Sequence, residues 1–153
     1  MNDWAKTERR PVRVTLAEGL VITGDIHLQP RVAWRDGPET PLELLNREDA
    51  FFPVTLTGQE VVFVAKAQVA ALGFRPSEEP TDVARQTAMR NIPLEIMLVG
   101  GTELKGVAVS ELPPNKSRAL DFLNDSASFF LLVTEDGHVC LNRRFVRAAR
   151  PLS

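Results

Sequence analysis

One pattern is written twice along this chain, and a repeated unit has to fold twice, so the repeat constrains the architecture before any single motif does. The first copy reads Val12-Arg-Val-Thr-Leu16, then Gly19, Ile22 and Gly24; 82 positions later the second reads Leu94-Glu-Ile-Met-Leu98, then Gly101, Leu104 and Gly106. A further block, Leu42-Glu-Leu-Leu-Asn46 before Phe51-Phe52, recurs 78 positions on as Leu120-Asp-Phe-Leu-Asn124 before Phe129-Phe130. These matches divide the chain into an N-terminal arm (1–11), a first repeat (12–74), a linker (75–91) and a second repeat (92–153).

Within each repeat the hydrophobic period is two. Val12, Val14 and Leu16 alternate with Arg13 and Thr15, as in a half-buried strand. Gly19 and Gly101 suit the positive φ of a tight hairpin. In the next strand Leu20, Ile22, Gly24, Ile26 and Leu28 share the inward face, and a glycine inside a strand marks a sharp bend. Residues 29–41, rich in Pro, Gly and charge, read as a long loop that shortens to 111–117 in the second copy. A helical turn or bulge follows at Leu42–Asn46. Strands at Phe51–Leu56, Glu60–Ala65 and Val69–Phe74 complete the first set, with counterparts at Phe129–Val133, His138–Leu141 and Val146–Arg150. So few residues separate the fourth and fifth strands, Lys66-Ala67-Gln68 and Arg143-Arg144-Phe145, that a single 3₁₀ turn is expected there. In the linker, Thr81 or Asp82 would cap a short helix through Met89.

The spacing Val12-x-Val-x-Leu-x-x-Gly19 followed by Gly24 resembles the first half of the Sm motif. The paired Leu-Glu/Asp-x-Leu-Asn…Phe-Phe blocks are similar to those of an uncharacterised bacterial family of Sm-like domains that carry Ser-Asp-x-Leu-Asn before a phenylalanine strand. The resemblance spans most of both copies, about 120 residues. It implies an all-β fold: two tandem five-stranded Sm-like (SH3-like) small barrels with a short, partly helical linker. Units of about 60 residues are marginal alone, so the two are expected to pack together.

Composition narrows the function without naming it. Hydrophobic residues make up 44% and charged residues 25% of the chain, ordinary for a globular protein. The net charge of −2 argues against broad capture of nucleic acid or anionic lipid. A single cysteine, Cys140, excludes an internal disulfide and fits a reducing compartment. The first ten residues hold no apolar stretch of signal-peptide length, and no run of 18 apolar residues occurs, so the expected location is the cytoplasm, with no membrane partner.

Candidate chemistry is sparse. Asp25 and His27 share a strand face, as a carboxylate and the base it orients would, but a solvated outer face explains them better. His138 and Cys140 also share a face; Cys140, aligned with Val62, reads as a small buried hydrophobe. No metal or cofactor is expected, nor an enzyme. The basic residues Arg143, Arg144 and Arg147 are the candidate nucleic-acid contacts. In RNA-binding Sm proteins an Arg-Gly pair between the fourth and fifth strands helps hold a base, and Arg143 stands near that position. Here, however, Arg144 replaces the glycine, and the first copy has Lys66-Ala67. Val107 and Val109, where the first copy has Asp25 and His27, are the candidate contact between barrels or subunits. Each phenylalanine pair is expected to place one ring in a barrel core and the other between barrels. The expected function is a non-catalytic protein-interaction or assembly module whose partner is itself or another protein; RNA binding through the C-terminal arginines is the alternative.

Overall fold

The structure is a computed structural model that describes residues 7–34, 36–76, 90–110 and 119–152. In chain order these form β1 (Glu8–Leu16), β2 (Val21–Leu28), α1 (Pro41–Asn46), β3 (Phe51–Leu56), β4 (Val61–Ala65), a 3₁₀ turn (Lys66–Gln68) and β5 (Val69–Phe74). The second half gives β6 (Arg90–Leu98), β7 (Glu103–Ser110), α2 (Ala119–Leu123), β8 (Phe129–Thr134), β9 (Gly137–Asn142), a second 3₁₀ turn (Arg143–Phe145) and β10 (Val146–Pro151). The fold is all-β and antiparallel, and both 3₁₀ turns and both helical turns stand where the repeat places them. The expected linker helix and the loop 111–117 lie outside the described residues.

The described strands form a single ten-stranded open sheet in the order β10-β6-β7-β8-β9-β5-β1-β2-β3-β4. Within each half the order is the same: fifth, first, second, third, fourth strand. The halves join edge to edge where β5 pairs with β9. Strand edges carry unpaired N–H and C=O groups, and the two halves satisfy a pair of edges by sharing them. The arm is also shorter than expected, because β1 starts at Glu8 and pairs Glu8 with Leu28 and Arg9 with His27. Pro11 does not interrupt this ladder: its missing N–H faces the side away from β2, and β5 reaches only as far as Arg13.

The bend in each half follows from one glycine. A Cβ on Gly24 would lie 2.5 Å from Thr55 O, and one on Gly106 would be as close to Val133 O, so only glycine lets β2 and β7 fold this tightly over β3 and β8. In the hairpins before them Gly19 (φ 97°) and Gly101 (φ 88°) hold the left-handed conformation anticipated for them. Helix α1 is started by a capping box, Thr40 Oγ1 accepting from Glu43 N–H while Glu43 accepts from Thr40 N–H, with Pro41 in the first turn. Beneath it the buried Glu39 carboxylate accepts from Gln29 N–H (3.2 Å) and pairs with Arg47 (3.2 Å), tying the long loop back to the sheet. Burial raises the pKa of this carboxyl, opposed by the Gln29 bond and the Arg47 charge.

Two hydrophobic cores result, one per half, and they interlock. The first contains Val12, Val14, Ile26, Leu28, Phe52 and Leu72, but also Phe129 and Cys140 from the second half. The second contains Leu94, Ile96, Ala108, Phe130, Leu132 and Leu141, with Ala71 of the first half packed against it. Successive residues of β8 and β9 thus supply different cores, a direct consequence of the strand period of two.

Candidate functional site

The internal joint shows what a satisfied edge looks like in this protein. Across it Ala71 faces Leu141, Leu72 faces Cys140, Gly73 faces Val139 and Phe74 faces His138. Two asparagines reinforce the pairing. Asn46, ending α1, accepts from Phe129 N–H (2.9 Å) and donates to Phe129 O (3.1 Å), so its amide acts as an extra peptide unit against β8. Asn142 donates to Val69 O (3.0 Å) and accepts from Arg144 N–H (3.0 Å), which also starts the 3₁₀ turn. The Cys140 side chain is fully buried here, and burial raises its pKa, keeping the thiol protonated and unreactive.

The same positions in the first half lie at an open edge. The β3–β4 turn is one residue longer than the β8–β9 turn, so the repeat offset drops from 78 to 77 beyond it. Phe51 faces Ala65 as Phe129 faces Asn142, and Pro53 faces Phe63 as Leu131 faces Cys140. The counterpart of Cys140 is therefore Phe63, not the Val62 expected from a constant offset. Phe129 and Cys140 are 3% and 0% exposed; Phe51 and Phe63 are 59% and 68% exposed. Two aromatic rings thus stand in solvent at a strand edge that no described strand covers, at positions that the other half uses to enter a neighbouring core. This patch is the candidate functional site. Sequence reasoning placed one ring of each phenylalanine pair between barrels, which holds for Phe129, but missed Phe63, whose role depends on the shortened turn.

The arginine cluster divides. Arg143 Nη2 donates to Phe122 O (3.0 Å), its Nη1 donates to Ala127 O and to Phe129 O (3.5 Å), and its guanidinium lies 5.2 and 4.9 Å from the Phe122 and Phe130 ring centroids. Lys66 does the same work in the first half: its buried ammonium donates to Arg47 O (3.2 Å) at the end of α1. Both are cations set against the C-terminal carbonyls of a helical turn, where cations are stabilised. Burial lowers the pKa of both side chains. Arg143 is thus held within the fold rather than offered to a nucleic acid. Arg144 and Arg147 are exposed, Arg144 against the Phe145 ring (5.9 Å), and the cluster does not present three cations together.

Val107 and Val109 are half-buried on β7, which pairs with β6 and β8 and lies away from the β5–β9 joint. Val107 faces Val133 across the ladder, as Asp25 faces Thr55 in the first half. There the expected solvated face is also corrected: His27 is buried, with Nε2 2.8 Å from Thr55 Oγ1, and Asp25 pairs with Arg9 (3.2 Å). Burial and the Arg9 charge lower the His27 pKa, with Asp25 opposing. The two halves fill the same face, one with a polar pair and one with an apolar pair, so the valines require no partner to explain them.

Among the described residues no three His, Cys, Asp or Glu side chains gather as a metal site would require, and no helix is long and apolar enough to cross a membrane. The chain matches no family model, no curated protein and no solved structure.

Proposed function

We propose that this protein is a non-catalytic assembly module, built from two tandem Sm-like small barrels and joined to protein partners through the edges of its sheet. One observation carries the assembly reading: Phe51 and Phe63 are solvent-exposed at the outer edge of the sheet, where no described strand pairs with β4, while their counterparts Phe129 and Cys140 are buried across a strand pairing. Large exposed rings next to an open strand edge are costly to solubility unless something covers them. Supporting the barrel reading are the strand order shared by the halves, the glycine bend in each second strand and the 3₁₀ link before each fifth strand. A cytoplasmic location belongs to this reading, since a single cysteine suits a reducing compartment. RNA binding is the weaker reading, since Arg143 is engaged in the fold.

The test is affinity capture from native lysate, with and without nuclease, using wild type and the double variant Phe51→Ser, Phe63→Ser. The expected result is a protein partner, a further copy of the chain or another protein, that withstands nuclease and is lost with the double variant. Equal capture by both proteins, or a partner released by nuclease, would overturn the proposal.

A further inference from the structure

Two strands border the described sheet, β4 and β10, and they are guarded differently. β10 carries the exposed Arg147 and Arg150 and ends in Pro151, the charges and the proline that blunt a strand edge. β4, Val61-Val-Phe-Val-Ala65, has no charge, and its middle residue, Phe63, is 68% exposed. Resting on the assembly reading, we propose that β4 pairs antiparallel with β4 of a second copy of this chain, about a two-fold axis at Phe63.

The internal joint shows why the occupant is another β4. β10 pairs with β6 as β5 pairs with β1, Ala149 facing Ile96 where Leu72 faces Val14. Arg147, Arg150 and Pro151 therefore stand at the positions of Ala70, Gly73 and Phe74. In β5 these three residues serve the joint: Ala70 is buried, Gly73 lies opposite Val139, and the Phe74 ring meets the His138 ring edge-on at 5.5 Å. Two arginines and a proline do none of this, so β10 lacks the small and aromatic side chains that close β5 against β9. The surface that matches an uncharged strand with a central ring is the same strand turned about a two-fold axis.

The backbone phase permits the pairing. Lys66 N–H bonds Ala50 O and Leu56 N–H bonds Glu60 O, so residues 60 and 66 turn their peptide groups toward β3. Phe63, an odd number of residues from both, presents its N–H and C=O outward, as do Val61 and Ala65. Pairing the whole strand with its copy sets Phe63 opposite Phe63 and Val61 opposite Ala65, with the Phe63 Cα atoms about 5.5 Å apart. Directly opposite residues share a face, so the two Phe63 rings lie side by side, away from the core that takes Phe52 and Val64. Phe51 faces Ala65 across β3 and β4, and so small a residue lets its ring lean toward the partner's Val61. Four exposed rings gather in one apolar cluster. The interface is isologous and closes at two copies, joining two ten-stranded sheets. Built on one short strand, it falls below about 1,200 Å², the range of complexes that dissociate on dilution.

The test uses the purified full chain in sedimentation velocity over a dilution series. Wild type is expected as a dimer that dissociates on dilution and forms nothing larger. Phe63→Ser should weaken dimerisation about 100-fold, because the axis counts the loss twice, while Arg147→Glu on β10 should leave it within about twofold. Both residues are exposed, so each variant should keep its β-sheet circular dichroism. Disulfide trapping reads the register and keeps every ring. Val61→Cys and Ala65→Cys chains, mixed under mild oxidation, should link in pairs, and neither should link alone, because like positions lie at opposite ends of the paired strands. Cys140, fully buried, does not compete. Any of four outcomes overturns the proposal: a wild-type chain that stays a single copy at its highest soluble concentration, species larger than two copies, a Phe63→Ser variant that associates as tightly as wild type, or cysteine chains that link as readily alone as mixed. If the purified chain is a single copy while Phe51 and Phe63 still govern capture from lysate, self-pairing fails and the assembly reading stands. If wild type and the Phe51→Ser, Phe63→Ser variant also capture alike, both fail.

Discussion

The β9 and β4 edges are the fourth strands of the second and first repeats, yet one is sealed and the other is open among the described residues. At β9 a neighbouring strand covers Cys140 and Phe129, and an asparagine amide bonds the backbone of the latter. At β4 no strand follows among the described residues, and the matching positions carry two exposed phenylalanines. The exposed copy has the larger side chains. A surface selected only for solubility would run the other way, with the apolar bulk on the sealed edge and charge on the open one. The duplication thus sets, within one molecule, a sealed fourth-strand edge beside an open one.

The largest contrast between the edges should come from the rings. Phe129→Ala removes a buried ring from the first core and should cost about 3–5 kcal/mol in denaturant unfolding, whereas Phe51→Ala, at a dilution that keeps copies apart, should cost about 0.5 kcal/mol or less. Similar losses at both positions would mean that the two edges do not differ as described. Next, Arg143→Ala leaves the carbonyls of Phe122 and Ala127 without their donor and should cost about 2–3 kcal/mol, while Arg144→Ala should stay within about 0.5 kcal/mol. An unstable Arg144 variant with an intact Arg143 variant would reverse the assignment of which arginine is structural. The asparagines come third. Asn46→Ala should lower stability by about 1–2 kcal/mol through two lost bonds, and Asn124→Ala, at the open counterpart, should stay within about 0.5 kcal/mol.

Smallest is a pH effect confined to the first half, where His27 and Thr55 occupy the positions of Val109 and Val133. Burial places the folded-state pKa of His27 below its usual 6.5, so the unfolded chain takes up the proton first. The stability tied to neutral His27 is therefore complete above pH 6.5 and is lost as pH falls through that value to the depressed folded-state pKa. Between about pH 7.5 and 5.5 the melting temperature of wild type should fall by more than that of His27→Gln. Parallel curves would remove His27 as the source.

Much of this fold is legible in the repeat. Val12, Val14, Ile26 and Leu28 show the period-two pattern that buries them, Gly24 and Gly106 mark the bends, and the short Lys66–Gln68 and Arg143–Phe145 links dictate 3₁₀ turns. The candidate site is less legible. Its exposed rings emerge only when Phe63 is aligned with Cys140, and that needs the cross-strand partners, because a turn shortened by one residue shifts the count without changing the strand pattern. Arg143 reads as a surface cation in any one-dimensional view. Its three carbonyl acceptors come from Phe122, Ala127 and Phe129, residues 14 to 21 positions earlier in the chain.

By itself the sequence determined that five strands are made twice, where each one bends and which face of most strands turns inward, since these depend on side-chain period and on backbone freedom at single residues. Only the tertiary structure decided that β5 would meet β9 and merge the halves into one sheet. The backbone of a strand edge does not encode its partner: any edge offers the same N–H and C=O groups, and which two meet depends on how the bent units fit together in space. That meeting buried Cys140 and Phe129 and left Phe63 and Phe51 in solvent, a difference between corresponding strands that arises from what lies beside them.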